Sequence, residues 1–119
     1  MTKLSPQPRV KLSRLRDIGW ASWDPMGLLG PGGLHPGKWD DDANLPFADE
    51  YDSYLVSAAS QLRRNVPREQ VVDYLVQAET QDMCLPKTPT AQTRAEAVVA
   101  AILADRKLWT WPDEQGRFG

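Results

Sequence analysis

An all-α fold, with four helices in an up-down bundle around one core, is what this sequence predicts. Three observations carry that reading. Apolar residues recur at helical spacing in four separate stretches of the 119-residue chain. No stretch sustains the apolar–polar alternation of a half-buried strand. The ten prolines fall between the periodic stretches or at the start of one, where their missing N–H and fixed φ do no harm.

Residues 1–8 read as an irregular lead, because Pro6 and Pro8 hold the backbone extended. A first helix is expected over 9–20. Val10, Leu12, Leu15, Ile18 and Trp20 form its apolar face, and Arg9, Lys11, Arg14 and Arg16 face water. A long Pro/Gly-rich loop then runs over 24–46, from Pro25 and Gly27 through Gly30, Pro31, Gly32, Gly33, Pro36 and Gly37 to Pro46. Loops of that length in compact domains are usually functional or disordered. Leu28, Leu29, Leu34 and Trp39 indicate that part of this one packs down.

A second helix is expected over 48–64. Tyr51, Leu55, Ala58, Ala59 and Leu62 share one face, and Tyr54 lies at its margin. Asp49, Glu50 and Asp52 suit its positive N-terminal end, and Arg63 and Arg64 its last turn. Asn65 and Val66 make a very short link, so the next helix returns antiparallel. That third helix starts at Pro67, buries Val71, Val72, Leu75 and Ala78, reaches Met83 and is stopped by Pro86. After a loop holding Pro86 and Pro89, a fourth helix spans 90–109. Ala95, Val98, Val99, Ile102, Leu103 and Trp109 form its buried stripe, and further alanines raise its propensity. Residues 110–119 read as a tail, with Trp111 and Phe118 docking on the body.

The length sets a single domain over 1–119, which buries roughly two-thirds of its unfolded surface. Net charge is −2, without the basic excess of a general nucleic-acid binder. The single Cys84 excludes an internal disulfide. No apolar run is long enough to span a membrane and no leader-like segment opens the chain, so a cytoplasmic protein is expected. The near-neutral total hides an asymmetry. Residues 1–16 carry five bases and no acid, whereas residues 17–52 carry eight acids against Lys38 alone.

Several chemical motifs fail on mechanism. Gly32-Gly33-Leu34-His35-Pro36-Gly37-Lys38 matches the spacing of a phosphate-binding loop. However, Trp39 stands where a magnesium-binding hydroxyl is needed, and Asp40, Asp41 and Asp42 follow and repel phosphate. Those acids, with Asp49, Glu50 and Asp52, lack the alternating oxygen ligands of a calcium loop. His35 is the only histidine, and Cys84 reads as a small packing residue. No catalytic residue, cofactor or metal is expected.

A surface remains. Trp23, Asp24, Trp39, Asp40, Asp41, Asp42, Asp49, Glu50, Asp52 and Tyr54 are the candidate partner-binding residues, aromatic anchors beside acids that speed encounter with a basic protein. The same aromatics also suit a core, and the acids beside Tyr51 also suit a helix start, so both roles stay open at this point.

The pairing of Trp23-Asp24-Pro25-Met26-Gly27-Leu28 with Asp49-Glu50-Tyr51-Asp52-Ser53-Tyr54 resembles a family of small bacterial helical proteins, the DUF1871-like group. Its members carry a W-D-P-[IV]-G string, then D-E-Y-D-x-Y opening a helix, then a Pro- or Ser-started helix and an Ala-rich one. The resemblance covers about residues 12–105. Met26 replaces the usual Ile or Val, and the connection between the strings is long here. Some similar proteins are immunity proteins, which implies a protein partner such as a basic toxin domain, with Asp24, Asp49, Glu50, Tyr51 and Asp52 as motif positions. A homodimer is the alternative, and a carboxylate-dependent enzyme the less favoured one. The motif also has a purely structural reading. Asp24 accepts backbone amides in a turn shaped by Pro25 and Gly27, and Tyr51 anchors that turn to the second helix.

Overall fold

The structure, a computed structural model, describes residues 8–29, 35–115 and 117. It is mainly helical, with one small two-stranded ribbon. In chain order the elements are β1 (Arg9–Val10), α1 (Leu12–Ser22), a 3-10 helix (Asp42–Phe47), α2 (Asp52–Arg63), α3 (Arg68–Gln77), a π-helical turn (Ala78–Asp82), α4 (Ala91–Ala104) and β2 (Trp109–Thr110).

The periodic faces turn inward largely as the spacing predicts. Leu15, Tyr51, Leu55, Ala58, Ala59, Leu62, Val71, Val72, Leu75, Ala95, Val98, Val99 and Ile102 join Trp20, Trp23, Ala78 and Leu108 in one core cluster. Helix α1 packs on α2 and α4, and α3 packs on both α2 and α4. Gly19 sits where α1 crosses α2, and a Cβ there would drive into the Leu55 side chain. Any larger residue there would force the buried Leu55 side chain to move, which favours glycine mid-helix despite its poor propensity.

Chain ends of the helices depart from the sequence reading, each for a local reason. Arg9 and Val10 are not the first turn of a helix. They pair antiparallel with Thr110 and Trp109, so Thr110 is not tail and Trp109 is not helix. Lys11 N–H then donates to the Leu108 carbonyl at 2.7 Å, and α1 starts from there. Strands of two residues leave no alternation to read. Leu12 is exposed. Arg14 and Arg16 are ion-paired rather than freely solvated.

Helix α2 starts at Asp52, four residues later than expected, after a series of turns over 48–51. Its far end is a complete Schellman motif. Asn65 takes the left-handed conformation (φ 65°), its N–H donates to Leu62 O, and Val66 N–H donates to Gln61 O. Helix α3 passes into the π turn, and Met83 N–H reaches back to Ala78 O. Cys84, at φ 56°, ends the run before Pro86 is reached. Helix α4 stops at Ala104, because Asp105 is extended and its carboxylate takes the Lys107 amide. Leu103, expected on the buried stripe, is 49 % exposed, and Trp111 is 57 % exposed rather than docked. Phe118, residues 1–7, and Gly30 to Leu34 with their share of the predicted loop lie outside the described residues.

Candidate functional site

The expected loop over 24–46 contains structure that the proline and glycine count concealed. The segment from His35 is folded back against α1. His35 N–H donates to Leu28 O at 2.9 Å, and His35 stacks on Phe47 with ring centroids 4.7 Å apart. Gly37 holds φ 96°, and a Cβ there would strike the Asp41 carboxylate, which caps the turn by accepting Lys38 N–H at 2.8 Å. Asn44 is buried, and its amide donates to Pro36 O and Lys38 O, closing the segment on the 3-10 helix. Pro46 sits inside that short helix.

Two joints fix this segment and its neighbours to the body. In the first, Asp24 leaves α1 at φ 32°, and its carboxylate accepts the Leu28 and Leu29 amides at 3.0 and 2.9 Å. Tyr51 donates its hydroxyl to Asp24 Oδ1 at 2.8 Å and accepts the Met26 amide at 3.1 Å. The Asp24 turn and its Tyr51 anchor are the structural role read from the two motif strings. Burial pushes the Tyr51 phenol well above its ordinary pKa, so it remains a donor. Trp20 and Trp23 flank its ring at centroid distances of 4.6 and 5.4 Å.

The second joint has no short-range sequence signal. Glu79, in the π turn, is 1 % exposed and is held bidentately by Arg94 of α4 at 2.7 and 2.9 Å. Arg94 also donates to the carbonyl of Trp23 at 3.3 Å, so α4 and the π turn brace the exit of α1.

The predicted site residues do not form one surface. Trp23 is buried in the core and offers no surface to a partner, a correction to its place among the candidates. Its indole N–H has no hydrogen-bond partner among the described residues. Asp52 is tied to Arg16 by two hydrogen bonds of 3.0 and 2.6 Å, and this contact raises the Arg16 pKa. Asp49 and Glu50 lie before α2 rather than in its first turn. Asp40, Asp42, Asp49 and Glu50 are exposed and carry no ion pair among the described residues. Tyr54 is half-buried against Trp23, with burial the main cause of its raised pKa.

Asp24, Trp39 and Asp40 come together at a groove of about 710 Å³ between α1 and the 37–40 segment. Asp17, Trp20, Ala21, Leu29, Gly37 and Lys38 complete its wall. Trp39 is fastened over α1 by its indole N–H to Asp17 Oδ1 at 2.8 Å and by the Arg16 guanidinium 5.4 Å from its ring centroid. Asp17 escaped the sequence reading because its partner lies 22 residues away, beyond any local pattern. Chemically, a half-open groove with carboxylates on aromatic walls suits a cationic group. No model of a known protein family matches this chain, and neither a curated protein nor a solved structure matches it.

Proposed function

We propose that this protein is a non-catalytic interaction domain, an up-down helical bundle whose acidic, aromatic face takes a basic protein partner. On this reading it acts in the cytoplasm as an immunity protein does, by covering a basic surface of a toxin. The observation that carries the proposal is the Asp17–Asp24–Asp40 groove floored by Trp20 and Trp39, with exposed Asp42, Asp49 and Glu50 nearby in the chain. Asp17 and Asp24 are held by hydrogen bonds within the fold, so the groove is pre-shaped and a ligand need not order it. The resemblance of the two motif strings to the DUF1871-like proteins supports the same reading.

Asp52 is a poor probe of it, because reversing its charge breaks the internal pair with Arg16. The better probe is Asp40→Lys with Glu50→Lys, both at exposed positions. The wild-type protein is immobilised and exposed to native lysate beside this variant, after matched melting temperatures show both are folded. The proposal expects one basic protein retained by the wild type, released by salt and lost on the variant. Equal capture by both proteins, or no specific capture at all, would overturn it.

A further inference from the structure

The two ends of α1 carry opposite surface chemistry. Near its C-terminus the indole N–H of Trp20 holds the carbonyl of Ala48 at 3.2 Å, which seats the 3-10 helix and the turn after it. That segment projects Leu45, 49 % exposed, among the exposed acids Asp42, Asp49 and Glu50. In a 3-10 helix residues three apart eclipse, so Asp42 and Leu45 stand one above the other. The segment is therefore an acidic knob with an apolar tip.

At the N-terminus of α1, where Lys11 meets Leu108 and Arg14 meets Asp105, a groove of about 440 Å³ opens between the ends of α2 and α4 and the ribbon. Leu62, Leu103, Trp109 and Trp111 give it apolar walls, and Leu103 and Trp111 are the exposed ones. Arg63 lies across Trp109 at 5.4 Å, and Arg106 completes the rim. Arg64 and Lys107, both exposed, adjoin those two in the chain. Asp105 is the one acid among the lining residues, and Arg14 neutralises it at 2.8 Å. This groove is apolar with a basic rim, the complement of the knob in both respects.

We propose that the groove receives the 42–50 knob of a second copy of this chain, so that copies associate head to tail. The eleven residues of α1 hold knob and groove roughly 16 Å apart, so a molecule does not fill its own groove. The contact is heterologous, since different surfaces meet, and association continues beyond a dimer unless the rotation closes a ring. Charge complementarity selects the occupant, and Leu45 entering between Leu103 and Trp111 supplies the desolvated centre. The receiving groove is distinct from the Trp39 groove, whereas the knob acids belong to the acidic face of the proposed function, so the test uses the purified chain alone and its groove-side variants separate the two readings.

Sedimentation velocity on the full chain, from micromolar to millimolar and at low and high salt, tests the proposal. The expected result is a mass that rises with concentration in low salt, past the dimer unless two copies close on each other, and falls towards the monomer in high salt. Arg106→Glu with Lys107→Glu should abolish the rise, as should Asp49→Lys with Glu50→Lys. All four changes together should restore it, because the swapped charges attract again. Leu103→Ser should weaken association at every salt concentration. These positions are exposed, and unchanged melting temperatures exclude misfolding as the cause. A monomer throughout, or association indifferent to both charge reversals, would overturn the proposal.

Discussion

Where α1 ends, it is held by polar contacts with fixed directions. Asp24 takes two amides and a phenol, and Arg94 clamps Glu79 while reaching the Trp23 carbonyl. Where α1 begins, it rests on apolar contact and a ribbon of two residues per strand, with Leu108 fully buried beneath. The first arrangement specifies a shape, because buried donors and acceptors tolerate few alternatives. The second supplies hydrophobic stability with looser geometry. The pre-shaped Trp39 groove lies at the polar end and the open groove of Trp111 at the apolar end.

Breaking the polar end at its most buried group should cost most. Arg94→Met leaves the Glu79 carboxylate buried without its partner, and about 3–5 kcal/mol of stability should be lost in urea denaturation. Replacing both residues by leucine should cost much less than the single change. A single-variant loss below about 1 kcal/mol would mean that Glu79 reaches water and that the clamp is not closed.

At the apolar end, Leu108→Ala should cost about 2–4 kcal/mol through lost burial and the cavity left behind. The two ends should respond differently to solution conditions. The Leu108 effect should be insensitive to pH, because the contact it removes carries no titratable group.

Tyr51→Phe should cost about 1–2 kcal/mol, because it removes a hydroxyl that both donates to Asp24 and accepts from Met26. The sign of its pH dependence follows from the raised native pKa. The unfolded phenol ionises near pH 10, so the stability is fully present below that value and is lost as pH rises beyond it. The variant should show a flatter alkaline arm in a plot of melting temperature against pH.

The smallest effect belongs to Asp105→Asn. The hydrogen bond from Arg14 holds the Asp105 carboxyl below its ordinary range. Its stabilisation is therefore present above about pH 4 and is lost as pH falls through the lower native value. Arg14 is 41 % exposed, so solvent screens the pair and the loss at neutral pH should be the smallest of these four. Melting curves of the variant and wild type should converge in acid.

These two ends also differ in how much of them the sequence disclosed. The Asp24–Tyr51 joint was legible because each half has local logic. An Asp-Pro turn seeks amides, and Tyr51 belongs to a helical stripe. The helix faces were legible for the same reason, since a 3.6-residue period is a short-range signal. Leu103 was misplaced because it lies in the last turn of α4, at the rim of the core, where Ile102 is covered and Leu103 is not. The ribbon was hidden, because pairs of residues have no period. Asp17 with Trp39, and Glu79 with Arg94, were hidden because only the finished fold brings them together. The acidic stretch 49–52 was read as one helix start, yet the structure divides it into a free rim and an ion-paired Asp52.

The ribbon has a consequence for how the molecule opens. Arg9 and Thr110 are 101 positions apart, and closing so long a loop in an unfolded chain costs about 4 kcal/mol in entropy alone. Two short strands do not repay that cost, so the ribbon forms after the helices have brought its halves together. By the same reasoning it is the first unit to detach. The Lys11 amide, bonded to Leu108 O, should exchange with deuterium by a local opening that is nearly independent of denaturant. The Leu55 amide in the core should exchange only through global unfolding. The wall bearing Trp109 and Trp111 is then a separately opening unit, and a ligand in that groove should slow exchange at Lys11 by opposing the local opening and at Leu55 by opposing global unfolding.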